Sequence, residues 1–464
     1  MRIAAVSVAP LLPDVVIGGS QKILVDVLTG LARNGHDVQV WCTGTSAHSG
    51  EFEISGVRVH PEMKLRGSFP ATHQVPPFKL ASTTQVLSEM ADWGDRVYLH
   101  ADAVYLRHAL GETDIVRSIH DYVYEEALVS TLAFDATTTI VPSNYLKSCI
   151  EATAAITGKE SIESVCTIPN GVEVHAELPE PKLPDGIAPR SKDDLILLFP
   201  HRPEPTKGLV EAFRTAVEVQ LRESSRNVRL LLPMYPKGSG FDEAASESDE
   251  VQQLAAEHDA ESIVELHEWL SPSEMPSYLA AGDVTLCIGS FVESFGLVPM
   301  ESVANGTPVV CSRVGALREF ADIAGVTLTP YGDISAAADA VLSAASGEAD
   351  QLEAGRTLIR ETFSPQAMVE GYERVISRRL SERRDISVNK DNQLQLAPWS
   401  DVQGDRIFND YTSESARYPK LVTALESTSN INGNMLLISA SLDAEILHAR
   451  ENGILIPKFE ISPA

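Results

Sequence analysis

The sequence is short of cysteine, of long apolar runs and of positive charge. Its five cysteines are odd in number and show no CxxC spacing, which argues against a disulfide framework. Cys42, Cys287 and Cys311 lie in apolar, strand-like runs, so we expect buried, reduced thiols in a cytoplasmic protein. No apolar run approaches the length that a membrane-spanning helix requires.

The shortage of positive charge restricts the partners of the protein. Lysine and arginine total 37 against 65 aspartates and glutamates, which gives a formal net charge of −28. This balance argues against nucleic acid or an anionic membrane as a partner. Solubility in a salty habitat would explain the acidity, and so would a cationic acceptor. A phosphate-bearing ligand would need local positive groups that overcome the overall negative field.

Alternating strands and helices organise the first part of the chain. RIAAVSV predicts a buried strand, and the loop after it ends in Gly18-Gly19-Ser20 before a helix that stops at Gly35. Pro10 and Pro13 interrupt the apolar N-terminal stretch, so we interpret it as a strand and a loop, not as a signal peptide. The alternation continues to about residue 175, and Ser143, at the end of the strand-like run TTTIVPS, is expected to cap the helix that follows.

A second alternating series follows a proline-rich linker, and 464 residues are too many for one core. The sequence therefore predicts an α/β fold with two Rossmann-like, doubly wound domains that face each other across a cleft. The predicted parts are an N-terminal domain, a linker, a C-terminal domain, a closing helix and an extension of unknown role, with bounds 1–176, 177–194, 195–363, 364–384 and 385–464. In the extension, MLLISAS and GILIPKFEIS are expected to form a small added sheet or a homodimer contact.

Two carboxylates flank a helix start in ESFGLVPME, residues 293–301. The segment follows the buried strand VTLCIGS, and Pro299 is tolerated only near the beginning of a helix. We expect the helix to begin near Gly296 or Leu297 and to stop at Asn305-Gly306. The backbone amides at its positive end suit a diphosphate. Glu293 and Glu301 would accept hydrogen bonds from sugar and ribose hydroxyls. A surface glutamate pair at a helix start is the alternative.

A cationic loop of matching position supports the ligand interpretation. HRPEPTKG, residues 201–208, also lies between a strand and a helix, and it carries Arg202 and Lys207. Two fixed cations stabilise the charge that grows on a departing diphosphate without a metal ion. Taken alone, both side chains would be interpreted as solvated surface charges.

Together these motifs resemble the retaining glycosyltransferases of family 4, which have the GT-B fold. The family's Glu-x7-Glu pattern with Phe-Gly-Leu matches Glu293 to Glu301. The other matches are Gly18-Gly19, Gly35-His36, His120-Asp121, Asn170-Gly171-Val172, Arg202 with Lys207-Gly208, and NGTPVV at 305–310. The resemblance covers about residues 1–384, and it matches poorly between 43 and 115, where the acceptor surface is expected.

The resemblance implies a metal-independent transfer of a hexose-type sugar with retention of anomeric configuration. It implies no cofactor apart from the nucleotide-sugar co-substrate, a UDP-sugar by default. It implies that the N-terminal domain binds the acceptor and the C-terminal domain binds the donor. The acceptor class stays open between a small natural-product molecule, a lipid-linked sugar and a glycan. The implied catalytic residues are His120, Arg202, Lys207 and Glu293. The implied donor-binding residues are Gly18, Gly19, Arg202, Lys207, Glu293, Ser294, Phe295, Gly296, Leu297 and Glu301.

The sequence departs from the family at two positions and leaves other functions open. His201 stands where the family commonly has glycine, and Gly315-Ala316 stands where it has a second Gly-Gly. Both changes lie where they would reshape the donor pocket. A phosphorylase or a nucleotide-sugar epimerase would share the architecture. A non-catalytic, transferase-like subunit that binds a partner through the extension is the third alternative.

Overall fold

The computed structural model describes residues 1–13, 18–45, 49–65, 76–101, 106–107, 110, 113–133, 138–159, 161–234, 248–347, 349–378, 385–432, 435–436 and 443–463. In these ranges the strands are β1 Arg2–Ser7, β2 Asp37–Thr43, β3 Phe52–Ile54, β4 Val57–Met63, β5 Arg96–His100, β6 Ile115–Ser118, β7 Thr138–Val141, β8 Ser161–Thr167, β9 Asp194–Leu198, β10 Asn227–Pro233, β11 Val264–His267, β12 Val284–Cys287, β13 Val309–Ser312, β14 Val326–Thr329, β15 Asp385–Leu396, β16 Ser400–Gln403, β17 Arg406–Asn409, β18 Glu414–Arg417, β19 Met435–Leu436 and β20 Leu455–Pro463.

The helices of the same ranges alternate with these strands over most of the chain. They are α1 Gly19–Arg33, α2 Pro77–Trp93, α3 Glu125–Ala133, α4 Asn144–Thr157, α5 Leu209–Arg222, α6 Ser248–Glu257, α7 Met275–Ala280, α8 Leu297–Ala304, α9 Ile334–Ala345, α10 Ala349–Thr362, α11 Pro365–Ile376, α12 Pro419–Asn432 and α13 Asp443–Glu451. Short 3-10 turns precede α5, over Pro205–Lys207, and follow β13, over Gly315–Phe320.

Two sheets of parallel strands form the two halves of the molecule. In the first sheet, the strands run in the order β8-β7-β6-β5-β1-β2-β4, and the hairpin strand β3 closes that edge antiparallel to β4. The second sheet is parallel throughout, in the order β11-β10-β9-β12-β13-β14. Strands with both faces covered are apolar along their length, as DLILL of β9 shows. This arrangement confirms the predicted fold class.

Helix ends follow the signals expected from the sequence. Ser143 accepts a hydrogen bond from the amide of Leu146 and so caps α4, as predicted from its position after a strand. α1 ends at Arg33, and Gly35 has a positive φ of 90° beside the C-cap. α8 begins at Leu297 and has Asn305 as its C-cap. The predicted start and stop of this helix are therefore confirmed.

The last helix of the family-like region is shorter than the prediction of 364–384. α11 ends at Ile376, and residues 379–384 lie outside the described ranges. The guanidinium of Arg96 donates two hydrogen bonds, of 3.3 and 3.2 Å, to the carbonyl of Arg378. This tie holds the chain beyond the helix end to the N-terminal half. α11 itself packs on α1, where a β-carbon on Gly30 would meet Val369 at 2.5 Å.

The C-terminal extension enlarges the first sheet. β15 pairs antiparallel with β8, and β20 pairs antiparallel with β15. β16, β17 and β18 form a separate antiparallel sheet of three strands. The expected added sheet is thus in part an enlargement of the N-terminal sheet. A homodimer contact through the extension stays a prediction.

The thiols and the helices agree with two further expectations. All five cysteines are free, and Cys42, Cys287 and Cys311 are buried in β2, β12 and β13. Among the described helices, none combines the length and the apolar character needed to cross a bilayer.

Candidate active site

A cleft of about 380 Å³ lies between the carboxyl ends of the two parallel sheets. The loops after β1, β5 and β6 supply one face, and those after β9 and β12 supply the other. Open parallel sheets bind ligands at this edge because the loops there converge. The structure brings all eleven residues proposed from the sequence into the lining of this one cleft, while their individual roles stay predictions.

Lys207 and Glu293 form the central ion pair of the face built by the loops after β9 and β12, which we call the donor-side face. The Nζ of Lys207 lies 2.7 Å from the Oε1 of Glu293 and 3.6 Å from the centre of the Phe291 ring. Burial opposes ionisation of Glu293, but the nearby ammonium outweighs it, so the pKa of Glu293 lies below its usual value. Glu293 is therefore charged at neutral pH, and its side chain remains 26% exposed towards the cleft.

Backbone contacts fix the spacing of the two loops that carry this pair. The amide of Phe291 donates to the carbonyl of Thr206 at 2.8 Å. A β-carbon on Gly208 would lie 2.5 Å from the nitrogen of Gly289, and Gly208 has a positive φ of 92°. Larger side chains at these glycines would push the loops apart. Lys207 and Glu293 thus meet because their backbones are held in contact.

The N-terminus of α8 points into the cleft beside Glu293. Gly296 is the N-cap residue, and Leu297 is the first helical residue. Within the described part of the chain, the amides of Phe295, Gly296 and Leu297 have no hydrogen-bond acceptor. Such amides at the positive end of a helix bind phosphate oxygens. The ring of Phe295 is buried against Phe320, so this residue offers the ligand only its backbone.

Arg202 and His201 occupy the start of the cationic loop. The Nη1 of Arg202 lies 3.3 Å from the Oε1 of Glu204, and the side chain is partly exposed to the cleft. The Nε2 of His201 lies 3.2 Å from the thiol of Cys287. Burial and, to a smaller extent, the ammonium of Lys207 lower the pKa of His201 to about 4. The histidine at this position therefore adds bulk to the pocket without adding charge.

His120 sits on the opposite face in a network of neutral groups. It is 3% exposed, and its ring centre lies 4.5 Å from that of His100. Burial lowers the pKa of His120 to about 4, so the imidazole is uncharged at neutral pH. Its Nε2 lies 3.5 Å from the hydroxyl of Tyr372, and its carbonyl accepts a hydrogen bond from Ser294 of the other face.

His100 was not anticipated from the sequence. Its Nε2 lies 2.9 Å from both the Oγ and the carbonyl oxygen of Ser20, at the start of α1. Its Nδ1 lies 2.8 Å from the hydroxyl of Tyr98. His100 ends β5 and therefore lies beside β1 in the sheet. The pairing of β5 with β1 decides this placement, and no local pattern reports it.

A second ion pair crosses the cleft and was also missed. The Nζ of Lys22, on α1, lies 3.7 Å from the Oε1 of Glu301, on α8, and 3.2 Å from Asp26. Burial raises the pKa of Glu301 despite this ammonium. Burial acts in the opposite direction on Lys22, but Glu301 and Asp26 outweigh it and raise the pKa of Lys22. Their separation of 279 residues left no local signal.

Asn170 adds a buried acceptor to the lining. It belongs to the Asn-Gly-Val turn and is 4% exposed. Its Oδ1 has no hydrogen-bond partner among the residues that the structure describes. A buried carbonyl oxygen in this condition favours a ligand that donates a hydrogen bond.

The arrangement suits an anion that bridges α8 and the cationic loop, with a polar group reaching His120. The donor-side face combines helix amides, Arg202 and Lys207, which stabilise negative charge. Around His120 the opposite face offers uncharged hydrogen-bonding groups, while Lys22 of the same face pairs with Glu301. The pocket therefore combines anion binding with the orientation of hydroxyl groups.

Comparison with known proteins agrees with this chemistry. Residues 186–362 match the family described as Glycosyl transferases group 1, a segment that includes Arg202, Lys207, Glu293 and Glu301. The chain is 27% identical over 333 residues to the D-inositol 3-phosphate glycosyltransferase of Kineococcus radiotolerans. That alignment covers 65% of this chain and 74% of the relative.

Solved structures show the same fold. A sucrose-phosphate synthase from Thermosynechococcus elongatus superposes with a TM-score of 0.65 and 19% identity, over 81% of this chain and 98% of that one. Anabaena HepE in complex with UDP and glucose gives a TM-score of 0.60 at 17% identity, over 81% of this chain and 99% of that one. The fold of the chain is GT-B.

Proposed function

Because residues 186–362 match the glycosyl transferases group 1 family and the cleft suits an anionic ligand, we propose that the chain is a retaining glycosyltransferase. It transfers a hexose-type sugar from a nucleoside diphosphate donor, a UDP-sugar by default, to an acceptor hydroxyl with retention of anomeric configuration. The observation that carries this proposal is the contact of Lys207 with Glu293, at 2.7 Å, beside the α8 amides and opposite His120.

The donor-side residues divide the nucleotide sugar between them. The amides at the start of α8 and the cations of Arg202 and Lys207 hold the diphosphate. Lys207 engages the Oε1 of Glu293, which leaves Oε2 to accept from a sugar hydroxyl. Glu301 accepts from the ribose hydroxyls, in competition with its contact to Lys22.

The reaction uses the charges of Lys207 and Arg202 on one face of the cleft and the neutral His120 on the other. As the glycosidic bond breaks, Lys207 and Arg202 stabilise the growing charge on the diphosphate. The acceptor hydroxyl attacks the anomeric carbon from the side of the sugar ring that the diphosphate leaves, and the departing phosphate oxygen takes its proton. His120 is uncharged because burial lowers its pKa to about 4, so it contacts the transferred sugar without repelling an oxocarbenium-like centre.

A panel of nucleotide sugars tests the proposal. The protein is incubated with each donor, without an acceptor, and release of the nucleoside diphosphate is measured for the parent and for Lys207→Ala. We expect slow release from one donor by the parent and loss of that release in the variant. Release that requires inorganic phosphate would indicate a phosphorylase, and an altered sugar nucleotide without release would indicate an epimerase. Activity that disappears with EDTA and returns with a divalent ion would overturn metal independence.

A further inference from the structure

The C-terminal extension touches both halves of the molecule. β15 pairs with β8 at Asp385–Ser387 and so joins the N-terminal sheet. On the other side, the Nε and Nη2 of Arg313 donate to the two carboxylate oxygens of Asp401, at 3.0 and 2.9 Å. Arg313 follows β13 of the donor-side sheet. One segment of chain thus forms a bidentate ion pair with one half and a strand pairing with the other.

At Asp410 the extension contacts both the N-terminal half and the donor-side half of the molecule. Its side chain is 0% exposed. The hydroxyl of Tyr145, on α4, donates to its Oδ2 at 2.8 Å, and the guanidinium of Arg318, in the 3-10 turn after β13, donates to its Oδ1. The amide of Gly315 also donates to this carboxylate. A buried carboxylate of this kind holds its donors in place because each would otherwise lose a buried partner.

The turn that Asp410 holds forms one wall of the donor pocket. The amide of Ala316 donates to the carbonyl of Glu293 at 2.8 Å, and Leu317 lines the cleft. The carboxylate of Glu319, in the same turn, accepts from the amide of Tyr145. Asp410 therefore connects to Glu293 through one short turn of backbone. This turn begins at Gly315-Ala316, where the sequence departs from its family.

We propose that the described residues of the C-terminal extension, from Asp385 onwards, form a strap across the two domains and that Asp410 is a positioning residue for Glu293 and the donor pocket. The inference rests on the proposed transfer for its kinetic consequence, although the strap itself is a property of the folded chain. Charge complementarity supports it, because Arg313 and Arg318 of the donor domain face Asp401 and Asp410 of the extension.

The kinetic test compares Asp410→Asn with Asp405→Asn. The asparagine at position 410 keeps the shape of the side chain but removes the charge that faces Arg318. Asp405 is the matched control, because it pairs with Arg417 within the extension and is partly exposed. We expect Asp410→Asn to raise the KM for the donor about 10-fold while the KM for the acceptor stays within about twofold, as loosening of one pocket wall predicts. Asp405→Asn is expected to match the parent in both constants.

Tyr145→Phe provides a milder variant that removes only one hydroxyl from Asp410. It should shift the donor KM in the same direction as Asp410→Asn and by a smaller factor. Donor and acceptor KM values that stay at parental levels in both variants would overturn the positioning role. Equal increases for donor and acceptor would also overturn it, because they would indicate a general loss of structure.

Hydrogen exchange separates this inference from the proposed function, because it needs no substrate. In the full chain, Asp410→Asn should speed exchange at residues 313–320 and 293–297 several-fold relative to Asp405→Asn. Unchanged exchange in both segments would overturn the strap even if the protein transfers sugar. Faster exchange in a protein that uses none of the nucleotide sugars would support the strap and contradict the transfer.

Discussion

The Lys207–Glu293 pair on one face of the cleft and the His120–His100 cluster on the other handle charge in opposite ways. The donor-side face carries Lys207 and Glu293 in contact, and the ammonium lowers the pKa of Glu293, which keeps the carboxylate ionised. The other face carries His120 and His100, whose pKa values burial lowers, so both are neutral. A strongly acidic protein can therefore bind an anion, because its cations are local and already held in place. The neutral histidine cluster of His120 and His100 orients hydroxyl groups and carries no charge.

The largest effect is expected from removal of the central pair. Lys207→Ala and Glu293→Ala should each lower kcat/KM by about 10²- to 10³-fold, because each removes a group that stabilises the transition state. The double variant should lose little more than either single one, since the two side chains touch. Nucleoside diphosphate release measures all three variants. Lys182→Ala is the control, because Lys182 forms an exposed pair with Asp185. Near-parental turnover by either single variant would remove that residue from the site.

The neutral histidine cluster should make the free energy of unfolding depend on pH in the range where His120 titrates. The pKa of His120 is about 4 in the folded protein, against 6.5 when unfolded, so the unfolded state binds the proton first as pH falls. The stability that neutral His120 contributes is fully present above pH 6.5 and is lost as pH falls towards 4. At pH 5 the loss in free energy of unfolding is about 2 kcal/mol. Glu293 behaves differently, because its lowered pKa keeps its contribution intact until pH falls below about 4.5.

Denaturant unfolding at pH 7.5 and pH 5 checks this difference between the faces. His120→Gln should reduce the loss of unfolding free energy between the two pH values. His175→Gln should leave the loss unchanged, since that side chain is 48% exposed. An identical pH dependence in the parent and His120→Gln would show that His120 is not held neutral by burial.

His120→Ala should have a smaller effect on turnover than loss of either member of the charged pair. One hydrogen bond to the transferred sugar is worth about 1.4 kcal/mol, or about tenfold in kcat/KM. His120→Asn, which keeps a side-chain donor and acceptor, should recover part of that activity. Steady-state kinetics with the accepted donor measure both variants. A loss of activity as large as that of Lys207→Ala would contradict the contrast between a charged pair and a neutral histidine cluster.

The smallest effect is expected at the contact between Gly19 and Leu297, which joins the two faces. A β-carbon on Gly19 would lie 2.9 Å from the Cδ1 of Leu297, at the end of a flexible side chain. Gly19→Ala should therefore displace Leu297 slightly and lower kcat/KM about threefold. Gly50→Ala is the matched control, because nothing lies within 4 Å of the added atom. Wild-type donor KM and kcat in Gly19→Ala would show that this approach does not shape the pocket.

Local signals were sufficient for the fold and for the donor-side face. The apolar period of DLILL, the proline in α8 and the cap at Ser143 each act within a few residues, so the sequence alone predicts them. Contacts between distant segments could not be predicted in this way. Lys22 meets Glu301, and His100 meets Ser20, only after the sheets have assembled.

The extension was the least predictable region. β15 reads DISVNKDNQLQL, and its polar residues hid a strand whose pairing with β8 and β20 fixes its place. α11 ends at Ile376, earlier than predicted, and Arg96 binds the carbonyl of Arg378 in the chain beyond it. The pairing of β15 with β8 and the contact of Arg96 with Arg378 both join segments more than 200 residues apart, which a local pattern does not report.

The pairing of β15 with β8 also bears on how the protein behaves at high concentration. A sheet that ended at β8 would present a row of unsatisfied amides and carbonyls to neighbouring molecules, which invites aggregation. The extension replaces that border with β20, which contains Pro457, Lys458, Glu460 and Pro463. Proline and charge both discourage a further strand from joining. Removal of the last eighty residues would therefore endanger solubility as well as catalysis.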